Sequence, residues 1–151
     1  MQIKWIAPAL AALTLAACGK KEEAAASAAT APDAGVLIVR IGHAGPTSGP
    51  IAHLGKDNEL GARMAIEDLN AKKLKIGDKV ARFELVPEDD AGDPKQGTAV
   101  AQKLIDENVK GVVGHMNSGT TIPASRLYSD AGIPQISPSA TNPKFTRQGF
   151  K

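Results

Sequence analysis

A second cysteine is missing from this 151-residue chain: Cys18 stands alone, so no internal disulfide is possible and the fold must rest on packing. Aromatic residues are scarce at 3%, which leaves the core to aliphatic and small side chains although 42% of the residues are hydrophobic. Neither sign of charge dominates. A formal net charge of +2, with lysines spread among acids, gives no basic footprint for nucleic acid. Two catalytic signatures are also absent: there is no Gly-x-Ser-x-Gly elbow for a serine nucleophile and no phosphate-binding P-loop. The apolar run at residues 6–17 falls short of the roughly 20 residues that a membrane-spanning helix needs.

What the first residues do contain is a targeting signal. Lys4 supplies a positive start, residues 6–17 the apolar stretch, and Leu15-Ala16-Ala17-Cys18-Gly19 its end. That ending resembles the bacterial lipobox, whose cysteine becomes the lipidated first residue of the mature protein. The expectation is a lipoprotein signal over residues 1–18, with Cys18 lipidated and the protein anchored to a membrane outside the cytoplasm, in the periplasm or at the cell surface. An ordinary secretory signal with an incidental cysteine is the plainer alternative. Residues 19–35 join charged residues to an alanine-rich run with no large apolar side chain to bury, and read as a flexible tether.

From residue 36 to 151 the pattern alternates strand and helix. Residues 36–42 are rich in β-branched side chains, Val36, Ile38, Val39 and Ile41, as in a strand covered on both faces. A helix is expected over residues 57–71, with Ala62, Ala65, Ile66 and Leu69 on its core face. The second strand, residues 80–86, alternates in character and should lie half exposed near a sheet edge. Asp93, Pro94 and Gln96 then form a capping box with the preferred proline, opening a helix that carries Val100, Ala101, Leu104 and Ile105 to an end near Asn108. A third strand over residues 109–114 leads to a helix whose first turn holds Pro123 and which ends near Asp130. The fourth strand, residues 132–137, tolerates Pro134 only near its start. Four strands separated by three helices predict an α/β fold, a parallel sheet with helices on both faces. In such sheets ligands lie at the carboxyl ends of the strands, here the loops at residues 45–50, 89–93, 117–121 and 139–142.

The corner Asn117-Ser118-Gly119-Thr120-Thr121 is the strongest candidate site. Free backbone N–H groups at a helix start, beside hydroxyl side chains, suit a carboxylate or phosphate; the bland alternative is that these hydroxyls merely cap the helix. Ser118 has no evident base, since His115 lies three residues away with no nucleophile-base geometry indicated. His43 and His115 with Asp89 or Asp90 are a minor metal alternative, and Asp89, Asp90 and Asp93 lack the spacing of an EF-hand loop. No cofactor or metal is called for.

Several segments in order resemble the substrate-binding proteins of branched-chain amino acid ABC importers, of the type I periplasmic-binding-protein fold. They are residues 45–55 (GPTSGPIAHLG), Gly61-Ala62 with Ala65-Ile66 and Asn70-Ala71-Lys72, residues 89–96 (DDAGDPKQ), Gly114-His115 with Ser118, Pro123-Ala124-Ser125, and residues 136–143 (ISPSATNP). The resemblance implies a non-enzymatic protein that captures an aliphatic amino acid in a cleft between two lobes and delivers it to ABC permease subunits. It implies that the Ser118 hydroxyl bonds the ligand carboxylate, within a corner that includes Asn117 and Gly119. It further implies that the Ser139 carbonyl meets the amine, beside Ala140, and that Thr141 bonds through backbone and hydroxyl. Leu54 stands where leucine-binding members carry an aromatic residue against the ligand side chain, and Gly92 and Asn117 stand where some members carry a cysteine pair. Residues 36–151 amount to about one domain's length. This implies the first lobe, incomplete, of a binding protein whose second lobe supplies the opposing wall. A ligand-sensing module of the same fold is the alternative, and a hydrolytic or metal-dependent enzyme a more remote one.

Overall fold

The β-branched run that opens the domain forms strand β1 (Val36–Gly45), and its last four residues are all buried. A computed structural model describes residues 35–150; the expected signal over residues 1–18 with Cys18, and the tether up to residue 34, lie outside the described residues. After β1 come helix α1 (Ala52–Ala71), β2 (Lys75–Ile76), β3 (Lys79–Asp89), α2 (Pro94–Asp106), β4 (Val112–Gly114), α3 (Ser118–Asp130) and β5 (Gln135–Ile136). The sheet order is β2-β3-β1-β4-β5. β1 lies parallel to β3 and to β4, and β4 parallel to β5.

This is the expected α/β architecture, with one correction: the sheet is mixed. β2 runs antiparallel to β3, Lys75 opposite Val80 and Ile76 opposite Lys79, across a two-residue turn in which Gly77 takes φ 64°. Two residues are too few to show an alternating pattern, so only the turn was visible. β3 consequently has β1 on one side and a very short neighbour on the other, and most of it is half-buried. Beyond β2, Asn70 of α1 closes the exposed edge: its side chain accepts from Phe83 N–H at 2.8 Å and donates to the Phe83 carbonyl at 2.9 Å.

The helices lie on both faces. On one, α2 and α3 pack together over Ala44 and Val112, with Val100, Ala101, Leu104, Val109, Ala124 and Tyr128 buried between them. On the other, α1 leans on β1 and β3; of its expected core face Ala62 is buried, Ile66 and Leu69 are half-buried and Ala65 is exposed. The reason is that α1 covers this face alone.

Helix starts differ from expectation in instructive ways. Asp93 accepts from the backbone N–H of both Lys95 and Gln96 at 2.9 Å, as a cap should, but the reciprocal half of the box is replaced: Asp93 N–H donates to the Asp90 carbonyl, also at 2.9 Å. α1 begins at Ala52, earlier than residue 57, because its cap residue is Ile51, which makes no side-chain bond and leaves no signature. α3 begins at Ser118, which puts Pro123 inside the helix; having no N–H, Pro123 leaves the Gly119 carbonyl without its intrahelical donor. β4 and β5 are shorter than expected: residues 109–111 and 132–134 lie outside them, although Lys110 N–H donates to the Arg40 carbonyl at 2.7 Å and Gly42 N–H to the Gly111 carbonyl at 2.9 Å. Pro134 still accepts the Val112 N–H at 2.9 Å from just before β5.

Candidate functional site

Parallel strands β1, β3, β4 and β5 all end at one edge, and the four polar loops meet there. The loop after β1 is held by Asp89 at the end of β3, whose Oδ1 accepts from Thr47 N–H at 2.9 Å, Ser48 N–H at 3.3 Å and Ala91 N–H at 2.9 Å. Burial works to raise the Asp89 pKa, but the hydrogen bonds from the Ser48 hydroxyl and from the Ala91, Thr47 and Ser48 backbones outweigh it and hold the carboxyl below its ordinary value. The same loop lies tight on α1: a side chain at Gly55 would collide with the Pro46 carbonyl.

The β4–α3 corner is built differently. Asn117 is the helix cap residue at extended φ −88°, ψ 143°, yet its side chain makes no cap bond, and Oδ1 is enclosed without a partner among the described residues. Its carbonyl accepts from the N–H groups of Thr120 at 3.1 Å and Thr121 at 2.8 Å. The hydroxyls of Thr120 and Thr121 also turn back onto carbonyls: Thr120 donates to Asn117 at 2.9 Å, and Thr121 Oγ1 is 2.8 Å from both the Asn117 and the His115 carbonyl. They therefore do not cap the helix. Among the described residues no acceptor takes the N–H of Ser118 or Gly119, and Gly119 is exposed with open space over its Cα.

The loop after β5 folds against this corner. Asn142 N–H donates to Ser118 Oγ at 3.2 Å, which leaves the Ser118 hydroxyl hydrogen free to donate elsewhere. Ser139 Oγ donates to the Met116 carbonyl at 2.9 Å, Ser137 Oγ donates to the His115 carbonyl at 2.6 Å, and Ala140 N–H donates back to Ser137 Oγ at 3.0 Å. Asn117, Ser118, Gly119, Ser139 and Ala140 are thus brought together by hydrogen bonds between their two loops. Thr141 lies exposed in the same loop between Ala140 and Asn142. Leu54 lies on the first turn of α1, 44% exposed. Chemically, the corner offers one hydroxyl donor and two amide donors to an anion and no nucleophile-base pair, since both nitrogens of the His115 ring are taken by other groups.

Those groups are Asp90 and Tyr128, a network that reading the sequence did not find. His115 Nδ1 is 2.7 Å from Asp90 Oδ2, and Nε2 is 3.1 Å from the Tyr128 hydroxyl, with all three residues 0% exposed. The available signal was Tyr128 on the α3 face that also carries Thr121, Ala124 and Ser125, all buried. His43, also 0% exposed, has no hydrogen-bond partner for either ring nitrogen among the described residues. Burial lowers its pKa most strongly, opposed by the Val113 backbone and by the Glu59 and Asp90 charges. Among the described residues no three His, Cys, Asp or Glu side chains converge as metal ligands, and no helix is long and apolar enough to cross a membrane.

Comparison with known proteins fits this arrangement. Residues 38–150 match the family model described as periplasmic binding protein. The leucine-specific-binding protein of Salmonella typhimurium is 45% identical over 113 residues, covering 75% of this chain and 30% of that protein. The leucine-, isoleucine-, valine-, threonine-, and alanine-binding protein of Pseudomonas aeruginosa is 46% identical over the same shares. Among solved structures, the branched-chain amino acid transporter substrate binding protein LivJ of Streptococcus pneumoniae, in complex with isoleucine, aligns with TM-score 0.67 and 32% identity over 74% of this chain and 32% of that one. The chain therefore spans about 30% of the length of the curated relatives it matches. With the family model matching from β1 to the last described residue, the chain belongs to the periplasmic binding protein family.

Proposed function

We propose that this chain supplies the carboxylate-holding part of an extracytoplasmic solute-binding protein, which captures aliphatic, branched-chain amino acids for an ABC importer and hands them to its permease subunits. The observation that carries the reading is the paired corner itself, where the Ser118 hydroxyl and the N–H groups of Ser118 and Gly119 have no acceptor to donate to among the described residues. A carboxylate supplies acceptors for such donors, and a bond to a charged group contributes roughly 1.5–3 kcal/mol. In this reading the Ser139 carbonyl meets the amine and Thr141 bonds the ligand through backbone and hydroxyl from the facing loop, with Asn117 and Ala140 shaping the corner. Leu54 meets the ligand side chain. The names of the Salmonella and Pseudomonas relatives, both amino acid binders, support the ligand class.

Lipidation at Cys18 would hold the protein at a membrane in the periplasm or at the cell surface. Cys18→Ser should then release it into the soluble fraction, and continued membrane retention would count against the anchor. For the site, the test is calorimetry on a chimera that joins residues 36–150 to the remainder of the leucine-specific relative. Leucine should bind, and Ser118→Ala should weaken it about tenfold or more, as loss of a charge-assisted bond requires. Unchanged affinity would remove Ser118 from the site.

A further inference from the structure

The buried network of Asp90, His115 and Tyr128 lies beneath the proposed ligand corner and converges on a residue whose carbonyl helps tie the two binding loops together. The His115 carbonyl accepts from Thr121 Oγ1 at 2.8 Å, at the start of α3, and from Ser137 Oγ at 2.6 Å, at the start of the loop after β5. The His115 ring is held from two other directions, by Asp90 at the end of β3 and by Tyr128 further along α3. Asp90 is itself fixed: its Oδ1 accepts from Gly92 N–H at 2.9 Å, and its N–H donates to the Gly45 carbonyl at 3.1 Å. We propose that His115 is the positioning residue of the carboxylate corner, its ring clamped between Asp90 and Tyr128 so that its carbonyl sets the spacing between the Ser118 corner and the Ser139–Thr141 loop. The idea rests on the binding reading for its purpose, though not for its geometry.

The donor and acceptor inventory orients the ring. A carboxylate oxygen at Nδ1 only accepts, so Nδ1 carries a proton; the Tyr128 hydroxyl, which can donate or accept, completes the bond at Nε2. Burial first, and the Asp90 charge second, push the Tyr128 pKa well above its ordinary value, which keeps that hydroxyl protonated and able to donate. Every polar atom of the three side chains that faces another has a complementary partner, so the ring has one orientation that satisfies the network. Turning it would leave a buried carboxylate and a buried hydroxyl unpaired.

The full chain labelled with nitrogen-15 tests this without ligand. Long-range nitrogen correlation spectra should show a proton on Nδ1 of His115; a ring whose only proton sits on Nε2 would overturn the proposal. Asp90→Asn should move the amide resonances of Ser118, Gly119 and Ala140, and Tyr128→Phe, which keeps the packed ring and removes only the hydroxyl, should move the same amides less. Leu69→Ala serves as the control: it weakens packing on the opposite face of the sheet, outside the core cluster that holds Tyr128, and should leave those amides in place. If it shifts them as far as Asp90→Asn does, the network is merely stabilising and the positioning role is wrong. Should Asp90→Asn fail to fold, Tyr128→Phe decides by the same resonances. Failure of leucine to bind would sink the binding reading while leaving these ligand-free shifts intact, so the two can fail separately.

Discussion

On one face of the sheet Leu104, Tyr128, Ala101 and Ala44 are all 0% exposed; on the other, Ile41, Phe83, Leu85 and Val113 border an open groove of about 600 Å³ alongside Ile66 and Leu69 of α1. Both faces carry rows of apolar side chains, so hydrophobic pattern does not separate them. Helix number does. Two helices packed on each other exclude water from one face, whereas α1 alone leaves its own apolar residues at a rim. Leu60 and Met64, on α1, are 57% and 66% exposed.

The sharpest way to break this comparison is to delete equal side chains on the two faces. Leu104→Ala, in the closed face, should cost about 2–5 kcal/mol, the transfer term plus the cavity left behind. Leu69→Ala, at the groove, should cost about 1 kcal/mol or less, because water already reaches it. Chemical denaturation of the two variants checks this, and equal losses would show that the groove side packs as well as the other. A smaller effect comes from pH. Burial lowers the His43 pKa from its ordinary value of 6.5, so the folded state favours the neutral ring. The stability tied to His43 is therefore complete above that value and is lost as pH falls below it toward the folded pKa. His43→Leu should flatten the stability profile on the acid side of pH 6.5, as read from melting temperatures across pH; an unchanged slope would place the acid sensitivity elsewhere.

Much of the closed face was legible in the sequence. Val100, Ala101 and Leu104 recur at helical spacing after the Asp93-Pro94 start, and all three are buried where that pattern put them. The hydroxyl-rich corner was legible as a helix start, because Ser, Gly and Thr follow a buried strand directly. Less of the open face could be read. α1 starts on Ile51, a residue with nothing to cap with, and Ala65 shares a helical face with buried residues but finds no neighbour to bury it. The Asp90–His115–Tyr128 network joins residues 25 and 13 positions apart, and no periodicity links them; only the folded chain brings the ends of β3 and β4 to the same helix. Direction of hydroxyl bonding was equally hidden. Thr120 and Thr121 have the composition of capping residues, and only geometry shows them donating to carbonyls and leaving the amides of Ser118 and Gly119 without an acceptor among the described residues.

The account stands or falls on whether those amides meet a carboxylate. Titrating the nitrogen-15-labelled chain with leucine, and in parallel with leucinamide, which has the same side chain and amine but no carboxylate, tests this directly. The corner predicts that leucine, at the millimolar concentrations suited to part of a site, shifts the Ser118 and Gly119 amides while leucinamide leaves them unmoved. Equal shifts with both compounds, or none at these residues with either, would contradict it.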